Sequence, residues 1–446
     1  MTTLRAAQAL LPEGWVQDVE IRIEGGRIAQ VTAGAKGQGY ACLLPAPVNL
    51  HSHAFQRAMA GMTEFRTAGR DSFWTWRDLM YRFLDRLTPQ DVQAIAAFAQ
   101  VEMAEAGYAA VAEFHYLHHA PGGAAYADRA EMSARIAAAA AETGLGLTLL
   151  PVLYERGGCD GRALTGGQLR FGNDVEGFAR LMEAASRAVA SLPPDAALGV
   201  APHSLRAVSP GSLARAPEMT GGPIHLHIAE QEAEVDELLA HTGARPVEWL
   251  LANAAVDARW CLIHATQMLP HEVGGLAATG AVAGLCPITE ANLGDGVFDG
   301  PGWLAAGGAF GVGSDSNVEI ALAGELRLLE YSQRLAHRAR AVLAASDRST
   351  GRVLYEGAVA GGAQAAGRPG AIRVGDWADL MAPDMTLPDL EGRQGDALLD
   401  AFIFAKGGVD TVWSAGRRIV TGGRHIARAP VEAAYRATMA RLRGTL

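Results

Sequence analysis

The chain has 446 residues, and 49% of them are apolar, which is enough for a large buried core. A formal net charge of −10 and a pI near 5.7 argue against nucleic acid as a partner, because phosphate binding needs a basic surface. No apolar run reaches the ~18 residues that a membrane span requires, and the four cysteines form no paired motif. We therefore expect a cytoplasmic protein without membrane or nucleic-acid partners.

The two ends of the chain share a strand-and-turn pattern. Residues 15–31 alternate apolar and polar side chains around Glu24-Gly25-Gly26, which predicts a β-hairpin. Residues 410–426 contain two more short strands around a glycine-containing turn. We predict that residues 1–45 and 370–446 form one small β-sandwich-like domain, with a C-terminal helix at about 430–443.

The middle of the chain, residues 46–369, alternates short apolar runs with helical stretches, as expected for a βα repeat. The apolar runs predict eight strands at 43–50, 109–116, 146–153, 197–203, 223–229, 260–265, 281–288 and 309–314. One helix should begin after Thr88, which is followed by Pro89 and an early acid, Asp91. Eight such units predict an α/β fold, a (β/α)8 TIM-type barrel, with its catalytic groups at the C-terminal ends of the strands.

Histidines stand at the ends of two of these strands. His51 and His53 follow the first strand, and residues two apart on a strand point the same way, so both imidazoles can reach one metal ion. The fifth strand carries His225 and His227, followed by Glu230. Because His225 and His227 also share one face, spacing alone leaves either of them as a ligand.

Two further polar residues end strands six and eight. These are His264 and Asp315, and the latter could instead cap a helix. Imidazoles and a carboxylate buried together at strand ends would be costly without a metal ion to satisfy them. The sequence therefore predicts a metal centre.

This arrangement resembles the amidohydrolase superfamily. The resemblance implies a ligand set of His51, His53, His227 and Asp315 around one divalent metal ion, zinc, with iron(II) as the alternative. A two-metal site bridged by a carboxylated lysine is excluded, since no lysine lies between Lys36 and Lys406. The HxxE pattern that ends at Glu230 is typical of the mononuclear deaminase branch.

Within that branch the chain resembles the formimidoylglutamate deiminases of histidine breakdown over nearly its whole length. The stretches that carry this resemblance are NLHSHAFQRAMAG (49–61), SFWTWRDLMY (72–81), EFHYLHH (113–119), APHSLRAV (201–208), HLHIAEQ (225–231), CPITEANLGDG (286–296) and GSDSNVE (313–319). Two positions depart from the family pattern. Gln267 and Asn317 each stand where a histidine is usual.

The resemblance implies hydrolysis of N-formimidoyl-L-glutamate to N-formyl-L-glutamate and ammonia. In that reaction the cation lowers the pKa of a water molecule and Asp315 takes the water's proton. Glu230 then delivers a proton to the departing nitrogen, while His264 orients the water and steadies the charge that develops.

The same resemblance places five residues at the substrate: Gln56, Arg77, Tyr116, His203 and Arg206. Arginine suits this purpose, because its planar fork matches a carboxylate. Family habit further implies a homodimer.

Two other functions compete with this interpretation. A deaminase of the same branch that acts on a flat heterocycle would favour stacking aromatics over paired arginines. A barrel that serves only as a binding module would usually have lost ligands, whereas every expected ligand and proton carrier is present here.

Overall fold

The computed structural model describes residues 1–62, 64 and 73–444, with the backbone alone for 73–75 and 78. Its strands are β1 (Thr2–Leu11), β2 (Gly14–Glu24), β3 (Arg27–Thr32), β4 (Tyr40–Pro45), β5 (Val48–Ser52), β6 (Ala110–His115), β7 (Gly146–Leu153), β8 (Ala197–Leu198), β9 (Ala201–Pro202), β10 (Ile224–Ile228), β11 (Trp260–His264), β12 (Val282–Leu285), β13 (Ala309–Val312), β14 (Leu380–Pro383), β15 (Val409–Ser414), β16 (Arg417–Thr421) and β17 (Arg424–His425).

Its helices are α1 (Phe73–Leu84), α2 (Pro89–Ala106), α3 (Glu131–Thr143), α4 (Val175–Ala190), α5 (Pro210–Arg215), α6 (Glu232–Thr242), α7 (Pro246–Asn253), α8 (Pro270–Ala277), α9 (Pro287–Leu293), α10 (Gly300–Ala305), α11 (Leu322–His337), α12 (Thr350–Ala365), α13 (Asp396–Phe404) and α14 (Arg428–Arg443). Short 3-10 helices cover Ala54–Met59, Pro121–Gly123, Gly166–Arg170 and Ala216–Met219. Within the described residues, no helix combines the length and apolar character needed to cross a membrane.

Strands from both ends of the chain form one eight-stranded sheet, in the order β17-β16-β15-β14-β4-β1-β2-β3. Both predicted hairpins are confirmed, as β2–β3 and β15–β16, but they do not pair with each other, because β14, β4 and β1 lie between them. Their turns nevertheless meet. A Cβ atom on Gly26 would lie 2.8 Å from the carbonyl oxygen of Ala415, so a side chain here would collide with the opposite turn.

The single strand predicted over 43–50 is wrong, because two strands occupy this stretch. β4 ends at Pro45 and belongs to the sheet formed by the termini, whereas β5 begins at Val48 and pairs with β6. Pro45 and Pro47 lack a backbone N–H and cannot donate to a ladder, so the chain changes sheets at this point. The structure also contains β1, which the sequence pattern did not predict.

The other strands are parallel and lie in chain order in two ladders. One runs β5-β6-β7-β8, with β9 also paired to β7, and the other runs β10-β11-β12-β13. Isolated bridges stand at the two junctions, Val200↔Ile224 and Ser204↔His227 at one and Ser52↔Asp315 at the other. Continuous ladders therefore do not close the ring, but the α/β arrangement fits a TIM-type barrel.

Local sequence explains how the helices begin around this sheet. The predicted cap at Thr88 is confirmed, because its side chain accepts from the N–H of Asp91 while the Asp91 carboxylate accepts from the N–H of Thr88. Such a capping box stabilises a helix by about 1 kcal/mol. It starts α2, whose apolar residues are buried in the main hydrophobic core and which packs chiefly against α3 and α14. The polar residues at the strand ends are left to face one another.

Candidate active site

Four of the predicted residues converge at the C-terminal ends of the parallel strands. Single ligand atoms of His51, His53, His227 and Asp315 all lie within 4.8 Å of one another, and all four side chains are buried. His51 lies in β5, His227 lies in β10, and Asp315 comes three residues after β13 ends. The strand order thus brings together residues that are far apart in sequence.

Hydrogen bonds to main-chain carbonyls fix the tautomers of two of these histidines. The Nδ1 atom of His53 lies 3.0 Å from the oxygen of Phe114, and Nδ1 of His227 lies 3.1 Å from the oxygen of His203. Because a carbonyl oxygen only accepts, each Nδ1 carries the proton and donates it. Each Nε2 then presents a lone pair to the centre of the cluster.

These lone pairs meet other acceptors at short range. Nε2 of His227 lies 3.1 Å from Nε2 of His51, and Nε2 of His53 lies 3.1 Å from Oδ1 of Asp315. Nitrogen and oxygen atoms this close repel one another unless a shared proton or a metal cation lies between them. Three imidazole nitrogens and one carboxylate oxygen are a donor set that zinc prefers, so the residues present fit a divalent metal ion.

Electrostatics keep the cluster in the ionisation states that a metal requires. Burial lowers the pKa of His51 to about 3 and that of His227 well below its ordinary value, so both imidazoles are neutral at pH 7. Burial alone would raise the pKa of Asp315, but its contacts with His51 and His53 hold it well below the usual range. Neutral imidazoles and an ionised carboxylate are the forms that bind metals.

His225, the alternative that spacing left open, lies outside this cluster. Its Nε2 atom is 2.7 Å from the carbonyl oxygen of Ala365, at the end of α12. His225 is therefore a buried group that is hydrogen-bonded to a helix terminus, and His227 is the member of the pair that faces the other histidines.

A second group of polar residues lies beside the cluster. Nε2 of His264 is 3.8 Å from Oε1 of Glu230, and its Nδ1 is 3.3 Å from Oε1 of Glu290. Burial opposes a charge on His264, but these carboxylates raise its pKa well above the ordinary value. Burial also raises the pKa of Glu230. His264 and Glu230 thus form a pair in which each group holds a proton more readily than its ordinary pKa would allow.

The backbone is strained where these side chains leave the strands. Positive φ angles occur at Ala229, His264, Ala265, Asp315 and Asn317. Non-glycine residues in this region cost on the order of 1–3 kcal/mol each, and such strain clusters at functional sites. Here it turns the chain sharply just after strands β10, β11 and β13.

The five residues predicted to bind substrate line one pocket, together with the predicted proton carriers and three residues of the metal cluster. They are Gln56, Arg77, Tyr116, His203 and Arg206. The same pocket is also lined by His53, His227, Glu230, His264 and Asp315. The structure therefore places these ten residues around one cavity, whereas His51 of the metal cluster does not line it.

Side-chain contacts hold this part of the pocket in place. Gln56 donates to the hydroxyl of Tyr116 over 2.6 Å, and that hydroxyl contacts the Met80 sulfur at 3.4 Å. The rings of Tyr154 and His203 pack edge to face, with centroids 4.6 Å apart. Tyr154 was not predicted as a site residue, although it directly follows β7 and so stands at a strand end as other site residues do.

Two arginines supply positive charge to the pocket. Arg206 is buried, and burial opposes its charge, yet Tyr154, Glu234 and Glu230 raise its pKa, so it remains a cation. Arg77 lies on α1 with its guanidinium carbon 5.6 Å from the ring centre of Tyr81. A buried guanidinium beside an open cavity is suited to binding an anionic group.

Sequence reasoning missed several residues that support the site. Glu290 contacts His264, and its signal was present in the CPITEANLGDG stretch, which was noted only as a resemblance. Asp295 belongs to the same stretch. Its carboxylate accepts from Gln231, and its backbone oxygen accepts from Gln267, one of the two departures from the family pattern. Gln267 thus supports the loop that follows α9.

Family models and known proteins match the chain over nearly its full length. The amidohydrolase family model matches residues 42–419, and the model for the N-terminal domain of the formimidoylglutamate deiminase HutF matches residues 1–40. A formimidoylglutamate deiminase of Pseudomonas aeruginosa is 48% identical over 95% of this chain and 96% of that protein. A 5-methylthioadenosine/S-adenosylhomocysteine deaminase of Natronomonas pharaonis is 28% identical over 96% of this chain and 93% of that protein.

Solved structures give the same assignment. An amidohydrolase from Brucella melitensis superposes with a TM-score of 0.97 at 49% identity, covering 99% of this chain and 100% of that one. The zinc complex of the atrazine chlorohydrolase TrzN from Arthrobacter aurescens shares the fold, with a TM-score of 0.82 at 20% identity, covering 99% and 100% of the two chains. The chain therefore belongs to the amidohydrolase family and, within it, to the formimidoylglutamate deiminases.

Proposed function

We propose that the chain hydrolyses N-formimidoyl-L-glutamate to N-formyl-L-glutamate and ammonia, a step of histidine degradation. The observation that carries this proposal is the single pocket that joins the four-ligand cluster to Arg77 and Arg206. A metal-dependent hydrolase needs a set of ligands such as this cluster. A substrate with two carboxylates needs cationic partners such as these two arginines. The name of the Pseudomonas aeruginosa relative supports the same substrate.

We propose that His51, His53, His227 and Asp315 hold one divalent cation. Their three nitrogens and one carboxylate oxygen favour zinc, and iron(II) is the alternative. A divalent cation in this place supplies Lewis acidity, which makes water acidic enough to act as a nucleophile near neutral pH. The tautomers set by the carbonyls of Phe114 and His203 leave the histidine lone pairs ready for it.

The side chains around the cluster would move the protons. Asp315 is ionised and accepts a proton from water as the water oxygen forms its bond to the formimidoyl carbon. Glu230, whose pKa burial raises, donates a proton to the imino nitrogen, which gives a tetrahedral species with one hydroxyl and one amino group. The ionised Glu230 then takes the proton of this hydroxyl and passes it to the amino nitrogen, so that the C=O bond forms as the C–N bond breaks. The nitrogen leaves as ammonia, the carbon becomes a formyl group, and the proton held by Asp315 returns to Glu230.

His264 would stabilise charge during this reaction. Nδ1 of His264 points to Glu290, so its Nε2 is the nitrogen that faces Glu230. A cationic imidazole there can donate to the oxygen that adds to the substrate carbon and steady the charge on the tetrahedral species. Glu290 supports this role by holding the ring in one orientation.

The opposite side of the pocket would bind the glutamate part of the substrate. Arg206 and Arg77 offer planar cationic groups to its two carboxylates. Gln56, Tyr116 and His203 add hydrogen-bonding groups between the arginines and the cluster. A flat heterocycle offers no carboxylate for either arginine to bind, which disfavours it as substrate.

Ammonia release measured on metal-replete protein tests the proposal. Formimidoylglutamate should be turned over with the highest kcat/KM, formimidoylaspartate more slowly, and guanine and cytosine not at all. Preference for a heterocycle would contradict the proposed use of Arg77 and Arg206. Absence of turnover on all four, with less than about half an equivalent of bound metal, would favour a non-catalytic barrel.

We also propose the domain division and assembly expected from the sequence. Residues 46–369 would form one (β/α)8 barrel, and residues 1–45 with 370–446 would form the small β domain, in agreement with the sheet that both termini share. The four cysteines are buried and free, which suits a reducing cytoplasm. A homodimer follows from family habit, and light scattering of the purified protein at several concentrations tests it.

A further inference from the structure

Asn317, the second departure from the family pattern, lies at the junction where the last barrel strand meets the first. It is fully buried, two residues after Asp315, and its φ angle is +55°. Asparagine is among the few residues other than glycine that adopt this left-handed conformation readily. The position therefore suits a short amide side chain.

The amide group of Asn317 bonds to both sides of this junction. Its Nδ2 atom carries two protons and lies 3.1 Å from each of three acceptors: Oγ of Ser52, O of His53 and O of Asp315. Its Oδ1 atom accepts from the hydroxyl of Ser314 over 2.6 Å. One side chain thus links the end of β5 to the segment that follows β13.

The ladder at this junction is otherwise short. An isolated bridge, Ser52↔Asp315, joins the two segments through one bond from the N–H of His53 to the oxygen of Asp315 and one from the N–H of Asp315 to the oxygen of His51, each 2.9 Å long. Deeper in the barrel, Asn49 adds a further link through Ser314. At the end of the junction, the Asn317 amide adds two further hydrogen bonds, to Ser52 and His53.

Three of the four residues in the metal cluster lie on these two segments: His51 and His53 on one, Asp315 on the other. A shift between the segments would change the separation between the carboxylate and both imidazoles. Zinc tolerates little change of this kind, since its bonds to nitrogen and oxygen are about 2.0–2.2 Å long. Groups that hold metal ligands without touching the metal typically change metal affinity 10–100-fold.

We propose that Asn317 is a positioning residue for the metal centre: its amide fixes the spacing between the ends of β5 and β13 and thereby sets the affinity for the divalent cation. This inference rests on the proposed ligand set but not on the proposed substrate. Asn317 does not line the pocket, so its removal should act on metal binding and leave substrate binding unchanged. The amide carries no charge, so its effect should be independent of pH.

Two substitutions distinguish the effect of the amide group from the effect of the backbone conformation. Asn317→Gly keeps the left-handed conformation without strain and removes the amide. Asn317→Asp keeps the shape but replaces the donor with an oxygen that faces three acceptors. Gln333→Ala is the matched control, because it removes another buried amide, which donates to the oxygen of Phe298 over 2.9 Å far from the cluster.

The measurement is the zinc dissociation constant, obtained by competition with a chromophoric chelator, together with the Tm of metal-free protein. Asn317→Gly should raise the zinc dissociation constant 10–100-fold, and Asn317→Asp at least as much. At saturating zinc, the KM for formimidoylglutamate should stay within about two-fold of wild type. Gln333→Ala should lower the Tm and leave zinc affinity unchanged.

Zinc affinity within about two-fold of wild type in both Asn317 variants would overturn the inference. So would an equal loss of zinc affinity in Gln333→Ala, which would point to general destabilisation. If the Asn317 variants fail to fold, Ser52→Ala, which removes one acceptor of the amide, should weaken zinc binding in the same direction by a smaller factor. Wild-type protein that binds zinc but releases no ammonia would refute the proposed function and leave this inference standing.

Discussion

The two sides of the pocket are built differently. On the metal side, His53 and His227 are each fixed by a main-chain carbonyl, and Asp315 is bridged to β5 through its backbone. On the substrate side, Arg77 lies on α1 and Gln56 on a 3-10 helix, held mainly by other side chains. Strand ends hold the first set, whereas Arg77 and Gln56 depend on segments inserted between strands. Substitutions should therefore abolish the function of the metal side and only weaken that of the substrate side.

The largest effect is expected from Asp315→Asn. This change removes the proposed carboxylate ligand, which is also the proposed acceptor of the water's proton, so bound zinc should fall below about half an equivalent and turnover by more than ~10⁴-fold. Metal analysis and the ammonia assay measure the two effects. Asp160→Asn, at an exposed carboxylate, is the control and should match wild type. Full zinc content with turnover within ten-fold of wild type would show that the two sides do not differ as described.

Glu230→Gln should separate metal binding from proton transfer on the same side. Zinc content should stay near normal, because Glu230 lies outside the four-ligand cluster, while turnover falls by roughly 10²–10⁴-fold. Burial raises the pKa of Glu230, and a general acid must be protonated, so the wild-type rate should fall as pH rises through that pKa. The variant should lose this basic limb. An unchanged rate or an unchanged pH profile would remove Glu230 from the mechanism.

Arg206→Met tests the substrate side. Since the proposed role of Arg206 is to bind a carboxylate in the ground state and in the transition state alike, the KM for formimidoylglutamate should rise by about 10–100-fold while kcat changes little. Zinc content should match wild type. Glutarate should protect the wild-type protein against thermal unfolding but not the variant. A fall in kcat with KM unchanged would instead place Arg206 at the reacting atoms.

Position relative to the strand ends also explains which parts of the site could be predicted from sequence. His51, His53 and Asp315 stand directly at strand ends, so strand order alone brings them together. The two-residue spacing on the strand could not distinguish His225 from His227 as the metal ligand. The distinction depends on the carbonyls of Ala365 and His203, which come from distant segments. Glu290 was missed for a similar reason, since its partner His264 lies on the preceding strand of the ladder.

In the fold, too, local features could be predicted from sequence and long-range pairings could not. Helix α2 could be predicted because all the groups of its capping box lie within four residues of Thr88. The stretch 43–50 was read as one apolar strand, although its two prolines mark the point where the chain leaves one sheet for another. Which sheet each half joins depends on β14 and β6, and no local pattern contains that information.

The smallest effect is expected where the substrate side is attached to the barrel. The fully buried Arg170 donates from Nε to the oxygen of His119 over 2.8 Å and from Nη2 to that of Leu87 over 3.2 Å, and it also contacts the oxygen of Leu84 at the end of α1. It thus ties α1, which carries Arg77, to the loop after β6. Arg170→Met should let α1 shift and raise the KM for formimidoylglutamate by about 3–10-fold.

Zinc content and kcat of Arg170→Met should remain near wild type, because no bond of Arg170 reaches the metal cluster. Arg162→Met, at an exposed arginine, controls for the loss of one positive charge. The combination Arg77→Met with Arg170→Met is the sharper experiment. If Arg170 acts only by placing Arg77, the double variant should have the KM of Arg77→Met alone, since a residue that is gone can no longer be misplaced. Fully additive effects would mean that Arg170 supports the pocket independently of Arg77.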